Sequence, residues 1–292
     1  MSAVIHSLSQ LPPFALSAIK LGLWLILLGV VFVPLERLFA VRRQKIARKA
    51  IWTDIGYYFL NNLALAAILA LPLSLVAWAG HHYAPYRLRE AAASMPLWAR
   101  LIATLVVGEI GFYWGHRWSH KSAFLWRFHA VHHSAEEIDW LVNTRAHPFD
   151  MAFTRLCGLL PIVMLGLDRP AGPTAGLATA AVAITGTIWV FFIHANLRWR
   201  FGWLEWVVST PAFHHWHHTN DQHRDRNFAS LLPWIDILFG THYMPRRAWP
   251  SQYGVDAPIS PRMAGQLLNP LIEAIPVRRR ASGPPKAEPA RG

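Results

Sequence analysis

The chain has 292 residues, 53% of them apolar and only 15% charged, with a formal net charge of +12. That balance is more apolar and less charged than a soluble domain, and no polar linker divides the chain, so a single membrane-embedded domain is expected. The lone cysteine, Cys157, excludes internal disulfides, multi-thiolate zinc sites and all-cysteine iron–sulfur clusters, and within its apolar run it reads as a small buried hydrophobe.

Five apolar runs follow one another. Residues 14–36 and 54–79 are long enough to cross a hydrocarbon core of about 30 Å. No basic region precedes the first of them, since the first Lys or Arg is Lys20, so it is expected to stay as an anchor and not to be cleaved as a signal peptide. A third run, 97–115, ends at a pair of histidines, and runs 151–167 and 174–195 form a hairpin around Pro170 and Pro173. The fourth is short, with a re-entrant path as its alternative. The expected fold is therefore all-α: a polytopic bundle of four to five spans under a histidine-rich cap formed by residues 116–150 and 196–276. The tail 277–292, rich in Pro, Arg and Ala, is expected to be disordered.

Charge orients the bundle. Arg37, Arg42, Arg43, Lys45, Arg48 and Lys49 crowd the loop after the first run, and Arg278, Arg279 and Arg280 begin the tail. No nucleic-acid motif accompanies them, and beside apolar spans the positive-inside rule and anionic lipids explain them better. With that loop in the cytoplasm, alternating spans bring every histidine cluster to the cytoplasmic face. His6, His81 and His82 are left on the other side.

Ten of the sixteen histidines form a short-range pattern: His116-x3-His120, His129-x2-His132-His133, His147, His194 and His214-x2-His217-His218. Positions i, i+3 and i+4 share a helix face, so each cluster is able to aim two or three imidazoles at one point. Neutral imidazole is a ligand for iron, zinc and copper. Glu109 and Tyr113 fall with His116 and His120 inside an arc of roughly 60°, at about 100° per residue. A carboxylate inside a span is costly unless partnered, so Glu109 is expected to accept a hydrogen bond from a ligand imidazole. His215 breaks the spacing and is held outside the ligand set, and His223 and His242 are peripheral.

HRWSH, HAVHHS and FHHWHHT resemble the three histidine boxes of the fatty acid hydroxylase superfamily, which includes sterol desaturases, C-4 methylsterol oxidases and alkylglycerol monooxygenases. The stretch from Ser134 to Pro148, HAN at His194–Asn196 and WIDILFGT at Trp234–Thr241 extend the similarity over about residues 30–245. The eight-residue gap between the first two boxes sets it apart from acyl-CoA desaturases and alkane hydroxylases, whose gap is longer. Glu109 and Asp139 stand where members of the superfamily often have Asp and Asn.

The resemblance implies that residues 1–276 form a membrane oxygenase with a non-haem di-iron centre. Such a centre uses O2 to remove a hydrogen from an unactivated C–H bond of a lipid: a fatty acyl chain, a sterol-like ring or an alkylglycerol. Two ions with about six positions each leave a few sites open beyond ten imidazoles. Zinc is able to replace iron in purified protein, since divalent ions exchange at imidazole sites. Glu136, Glu137, Asp139 and Asp221 are expected to support the ligands, with Asn143 and Arg145 positioning them. Neither a dinucleotide-binding loop nor a fused electron carrier is found, so a separate ferredoxin, cytochrome or reductase is implied. The rival reading is a non-catalytic membrane metal-binding or electron-transfer protein. A haem protein, however, has no use for adjacent His132 and His133, and a transporter places its ligands near the bilayer midplane.

Overall fold

The computed structural model describes residues 10–168, 175–246 and 248–272, leaving the side chains of residues 81 and 175–183 undescribed. His6, the Pro170–Pro173 turn and the tail 277–292 lie outside the described residues.

Described residues form helices and short 3₁₀ turns, with one isolated bridge between Thr219 and Tyr253. The helices are α1 (Pro13–Phe39), α2 (Ile51–Tyr83), α3 (Tyr86–Ser94), α4 (Leu97–Lys121), α5 (Ala123–His133), α6 (Pro148–Met164), α7 (Ala175–His194), α8 (Pro211–His217), α9 (Trp234–Leu238) and α10 (Met263–Ile272). Three of them, α1, α2 and α4, are long and apolar enough to cross a membrane. Their outer faces carry exposed Leu23, Trp24, Ile26, Leu27 and Val30 on α1 and Leu71, Leu75 and Trp78 on α2, as a lipid-facing surface requires. The fourth and fifth expected runs are helices α6 and α7, of 17 and 20 residues. At about 1.5 Å per residue, α6 is about 25 Å long.

The third apolar run and the first histidine pair share one helix, as their common face requires. That helix continues to Lys121, so His116 and His120 occupy the last turns of one continuous rod. Ser122 ends α4 and caps α5, its hydroxyl accepting from the Leu125 amide at 3.3 Å. The chain therefore turns sharply between the first two histidine boxes.

Small residues bring α4 and α6 into close contact. A Cβ at Gly115 would sit 2.7 Å from Cys157 Cβ, and one at Gly111 would overlap the Cys157 carbonyl oxygen. Cys157 is half-buried in this seam. An Ala at position 111 gains up to about 1 kcal/mol of helix propensity but collides with backbone, which has no rotamer to yield. We expect Gly111→Ala to lower the melting temperature of purified protein, at a cost of about 1–3 kcal/mol. An unchanged or raised melting temperature would show that the seam tolerates separation.

On the other side, Leu28, Phe32, Tyr58, Trp140, Leu141 and Phe191 form a core joining α1, α2, the Trp140–Thr144 turn and α7. Glu36, near the end of α1, accepts from the Trp140 and Asn196 amides, each at 2.8 Å. The Asn196 side chain accepts from the Val41 and Arg42 amides and donates to the Arg42 carbonyl. These bonds tie the first basic loop to the cap. That loop is not wholly a lipid-facing patch. Arg48 is 5% exposed and turned into the protein, and Arg42 donates to the Pro250 carbonyl.

Candidate metal centre

Nine of the ten patterned histidines converge in two adjoining groups. His116, His120, His129, His133 and His217 form the first, and His132, His194, His214 and His218 the second; within each, the ligand atoms lie within 4.8 Å of one another. All nine are buried. The His133 and His218 rings stack with centroids 4.5 Å apart, so the groups abut.

Each H-x2-H-H triad is divided between the groups and does not converge on one point. His129 and His133 face one way while His132 faces the other; His214 and His218 share a group while His217 crosses over. Helical geometry is the reason. Residues four apart are displaced by about 40°, whereas neighbours are displaced by about 100°. The His116–His120 pair completes the first group from α4, and His194, from the end of α7, completes the second.

Hydrogen bonds fix the imidazole tautomers. His116 Nδ1 lies 2.7 Å from the Phe228 carbonyl oxygen, His217 Nδ1 2.9 Å from that of Arg226, and His132 Nδ1 2.9 Å from that of Arg145. His194 Nδ1 lies 2.7 Å from the Val190 carbonyl oxygen. His129 Nδ1 faces the Asp150 carboxylate at 2.9 Å, and His120 Nδ1 faces Asp225 at 3.3 Å. Carbonyls and carboxylates only accept, so in all six rings Nδ1 carries a proton and Nε2 is the atom whose lone pair the neutral ring offers to a metal.

Those lone pairs point at one another. The Nε2 atoms of His116 and His129 are 3.1 Å apart, those of His120 and His129 3.0 Å, and those of His132 and His194 3.4 Å. His217 Nε2 is buried with no partner among the described residues. Two bare lone pairs at such a distance repel, and a bound cation would relieve that repulsion. Burial is the first cause that holds the His132 pKa down to about 4, followed by repulsion from His129. Burial likewise holds His133, His214, His217 and His218 well below the usual value, so these rings are neutral, the form that ligates, at pH 7. This donor set fits two metal ions.

The tenth patterned histidine stands apart. His147 caps α6, accepting from the Phe149 amide, and its Nε2 lies 3.1 Å from the Leu267 carbonyl oxygen. His215 donates from Nε2 to the Ala195 carbonyl at 3.1 Å and accepts from the Tyr253 hydroxyl at 2.8 Å, outside both groups.

The acidic residues are placed differently from expectation. Glu109 touches no imidazole; it accepts from the Ser230 hydroxyl at 2.9 Å and the Leu231 amide at 2.5 Å, because the 228–232 loop brings unpaired amides to it. Its link to the histidines is indirect, through the same loop's Phe228 carbonyl. Asp139 caps the Trp140–Thr144 turn and pairs with Arg48. The Arg145 side chain pairs with Asp54, and only its carbonyl meets His132. Asn143 lines a cavity beside the histidines. Glu136 and Glu137 are exposed, and Asp221 bonds His223.

Three carboxylates that sequence reasoning missed reach the site. Asp150 and Asp225 bond His129 and His120, while Asp236 accepts from the Phe228 and Ala229 amides, each at 2.8 Å, and shapes the loop that holds His116. Only Asp150 had a signal, its place in the first turn after His147. Replacing it by Asn leaves the size unchanged but removes the charge that fixes His129. We expect Asp150→Asn to weaken metal binding by about 10–100-fold in a chelator competition, with the fold retained. Affinity equal to wild type would remove Asp150 from any role at the site.

A cavity of about 410 Å³ adjoins the histidines, lined by Leu65, Leu69, Phe112, Met151 and Phe191 as well as His116, His129, His132, His194 and His214. It lies between α2, α4, α6 and α7, on the side of the apolar helices.

Residues 101–241 match the fatty acid hydroxylase family. Among curated proteins, ornithine lipid hydroxylase OlsE of Rhizobium tropici is 32% identical over 177 residues, 60% of this chain and 51% of that protein. Alkylglycerol monooxygenase of Xenopus tropicalis is 29% identical over 177 residues, 60% of this chain and 36% of that protein. Methylsterol monooxygenase 2-2 of Arabidopsis thaliana is 26% identical over 243 residues, 75% of this chain and 81% of that protein. The matched region thus spans about half of the first relative and about a third of the second. No solved structure matches the chain.

Proposed function

From the premise that residues 101–241 belong to the fatty acid hydroxylase family, we propose that this chain is a membrane-bound di-iron oxidoreductase that uses O2 and external electrons to hydroxylate or desaturate a lipid. The observation that carries the proposal is the forced convergence of imidazole lone pairs in two abutting groups beside an apolar cavity. Bound iron supplies the power to activate O2 and break an unactivated C–H bond. The nine converging histidines would hold it.

The chain's own residues do the rest. Asp150, Asp225 and the carbonyls of Phe228, Arg226, Arg145 and Val190 hold six of the nine rings in the ligating tautomer. The apolar wall receives an alkyl chain or ring system and keeps bulk water from the reacting carbon. We take α6 and α7 as the paired fourth and fifth spans and place the histidine face in the cytoplasm, where the basic loop lies. A soluble electron carrier has access there. The relatives' names (ornithine lipid hydroxylase, alkylglycerol monooxygenase, methylsterol monooxygenase) support a lipid substrate.

Comparative lipidomics of cells expressing the wild-type chain or His217→Ala tests the proposal. A lipid shifted by about +16 or −2 mass units is expected only with the wild type, one oxygen gained or two hydrogens lost. Identical lipid profiles, with both proteins present in the membrane and an electron carrier supplied, would overturn it.

A further inference from the structure

The cavity is not uniformly apolar. Tyr57 and Asn61, one turn apart on α2, both line it, and they are 0% and 4% exposed. Each holds a buried polar atom, Tyr57 Oη and Asn61 Oδ1, with no hydrogen-bond partner among the described residues. The Asn61 amide orientation is settled by its other end. Its Nδ2 donates to the Thr144 carbonyl at 3.2 Å and the Ala146 carbonyl at 3.0 Å, so Oδ1 is left as an acceptor in want of a donor. Tyr57 Oη is able to donate or accept. An unpaired buried polar atom costs about 1–3 kcal/mol, and two on one helix face beside a cavity point to an occupant that satisfies both.

Resting on the lipid-oxidation reading above, we infer that Tyr57 and Asn61 form a headgroup subsite for an uncharged hydroxyl, placing the attacked carbon close to that hydroxyl and not far along the alkyl chain. A hydroxyl donates to Asn61 Oδ1 and accepts from Tyr57 O–H. A carboxylate has no hydrogen for Asn61. An ammonium finds no unpaired carboxylate among the described residues here: Asp150, which lines the cavity, pairs with His129, and the Arg48, Arg145, Asp54 and Asp139 charges beside this end of α2 balance.

Closeness to the site follows from connectivity. Asn61 holds the carbonyls of Thr144 and Ala146, and the carbonyl between them, that of Arg145, holds His132. Beyond this polar end, Leu65, Ala66 and Leu69 carry the wall along α2 toward the other side of the bundle. A hydroxyl seated between Tyr57 and Asn61 is able to bond both atoms, whereas an alkane bonds neither.

Binding of labelled hexadecan-1-ol, 1-methoxyhexadecane, hexadecane and palmitate to the iron-loaded full chain in detergent tests the subsite. The wild type should favour hexadecan-1-ol over hexadecane by at least about tenfold, with the methyl ether between them because it only accepts. In Tyr57→Phe that preference should fall to within about threefold. Hexadecane affinity should be unchanged and the melting temperature equal or higher, since only an unpaired hydroxyl is lost.

Equal wild-type affinity for alcohol and alkane, or for alcohol and ether, would overturn the inference. So would a preference that survives Tyr57→Phe. Arg155 also lines the cavity, five residues beyond Asp150 on α6. Preferred binding of palmitate that is lost in Arg155→Gln would place the headgroup there and overturn the inference as well. The ranking of the four probes by the wild type does not depend on any variant folding. Alcohol discrimination without O2-dependent product would defeat the oxidation reading alone; product without discrimination would defeat the subsite alone.

Discussion

His217→Ala is expected to strip the first histidine group and end turnover, while His215→Ala, two residues away, leaves both groups loaded. Wild-type protein should carry two metal ions per chain by elemental analysis. His217 contributes to the five-histidine group, its Nε2 is buried without another partner, and its Nδ1–H is fixed by the Arg226 carbonyl. No neighbour is free to take its place, since each adjacent imidazole already belongs to a group. Metal content should fall to about one ion, and O2-dependent product by more than the about 10–100-fold that loss of a supporting partner costs. The same experiment on His132→Ala should empty the four-histidine group.

His215 provides the contrast. It is as buried as its neighbours, and burial holds its pKa down to about 4, but both nitrogens are engaged with Ala195 and Tyr253. Its removal should cost about 1–3 kcal/mol of stability and no metal. Two ions retained in His217→Ala, or one lost in His215→Ala, would defeat the assignment of ligands.

Asp54→Ala should be the most damaging substitution for folding. Asp54 is fully buried and receives Arg145 Nε at 2.5 Å, Arg145 Nη2 at 3.0 Å and Arg48 Nη2 at 2.5 Å. Arg48 in turn reaches both oxygens of Asp139 at 2.6 Å. Together the four charges cancel, but taking one carboxylate away strands guanidinium charge in a buried site. The expected cost is about 3–5 kcal/mol. The Thr144–Ala146 segment depends on this network, and through the Arg145 carbonyl so does His132. Reduced yield of folded protein and a lower melting temperature are expected, together with loss of metal from the four-histidine group. Wild-type stability would show that the network is dispensable.

Much of this architecture was legible in the sequence, for identifiable reasons. Hydropathy located α1, α2 and α4 because a membrane demands long unbroken apolar helices. Spacing located the three histidine boxes because helical periodicity is a local property. The division of each triad was not legible, since it depends on which neighbouring helix faces which ring. Asp54, Asp150 and Asp236 were missed for a related reason: a single carboxylate has no spacing to reveal it. The Arg48–Asp139 bond joins residues 91 apart, and nothing local marks either end. Glu109 was recognised as a costly intramembrane charge, but its partner, the 230–232 loop, is more than a hundred residues away.

The division of the triads has a consequence for motion. His132 and His133 are neighbours that serve different groups, as are His217 and His218. One peptide unit in each pair therefore acts as a ruler between the two groups, and covalent geometry does not stretch. Helices of the bundle that part to admit a lipid, or tilt with bilayer thickness, carry a backbone anchor of both groups together. A site assembled from one whole box per ion would lack that covalent link, and its two halves would be joined only by packing between elements.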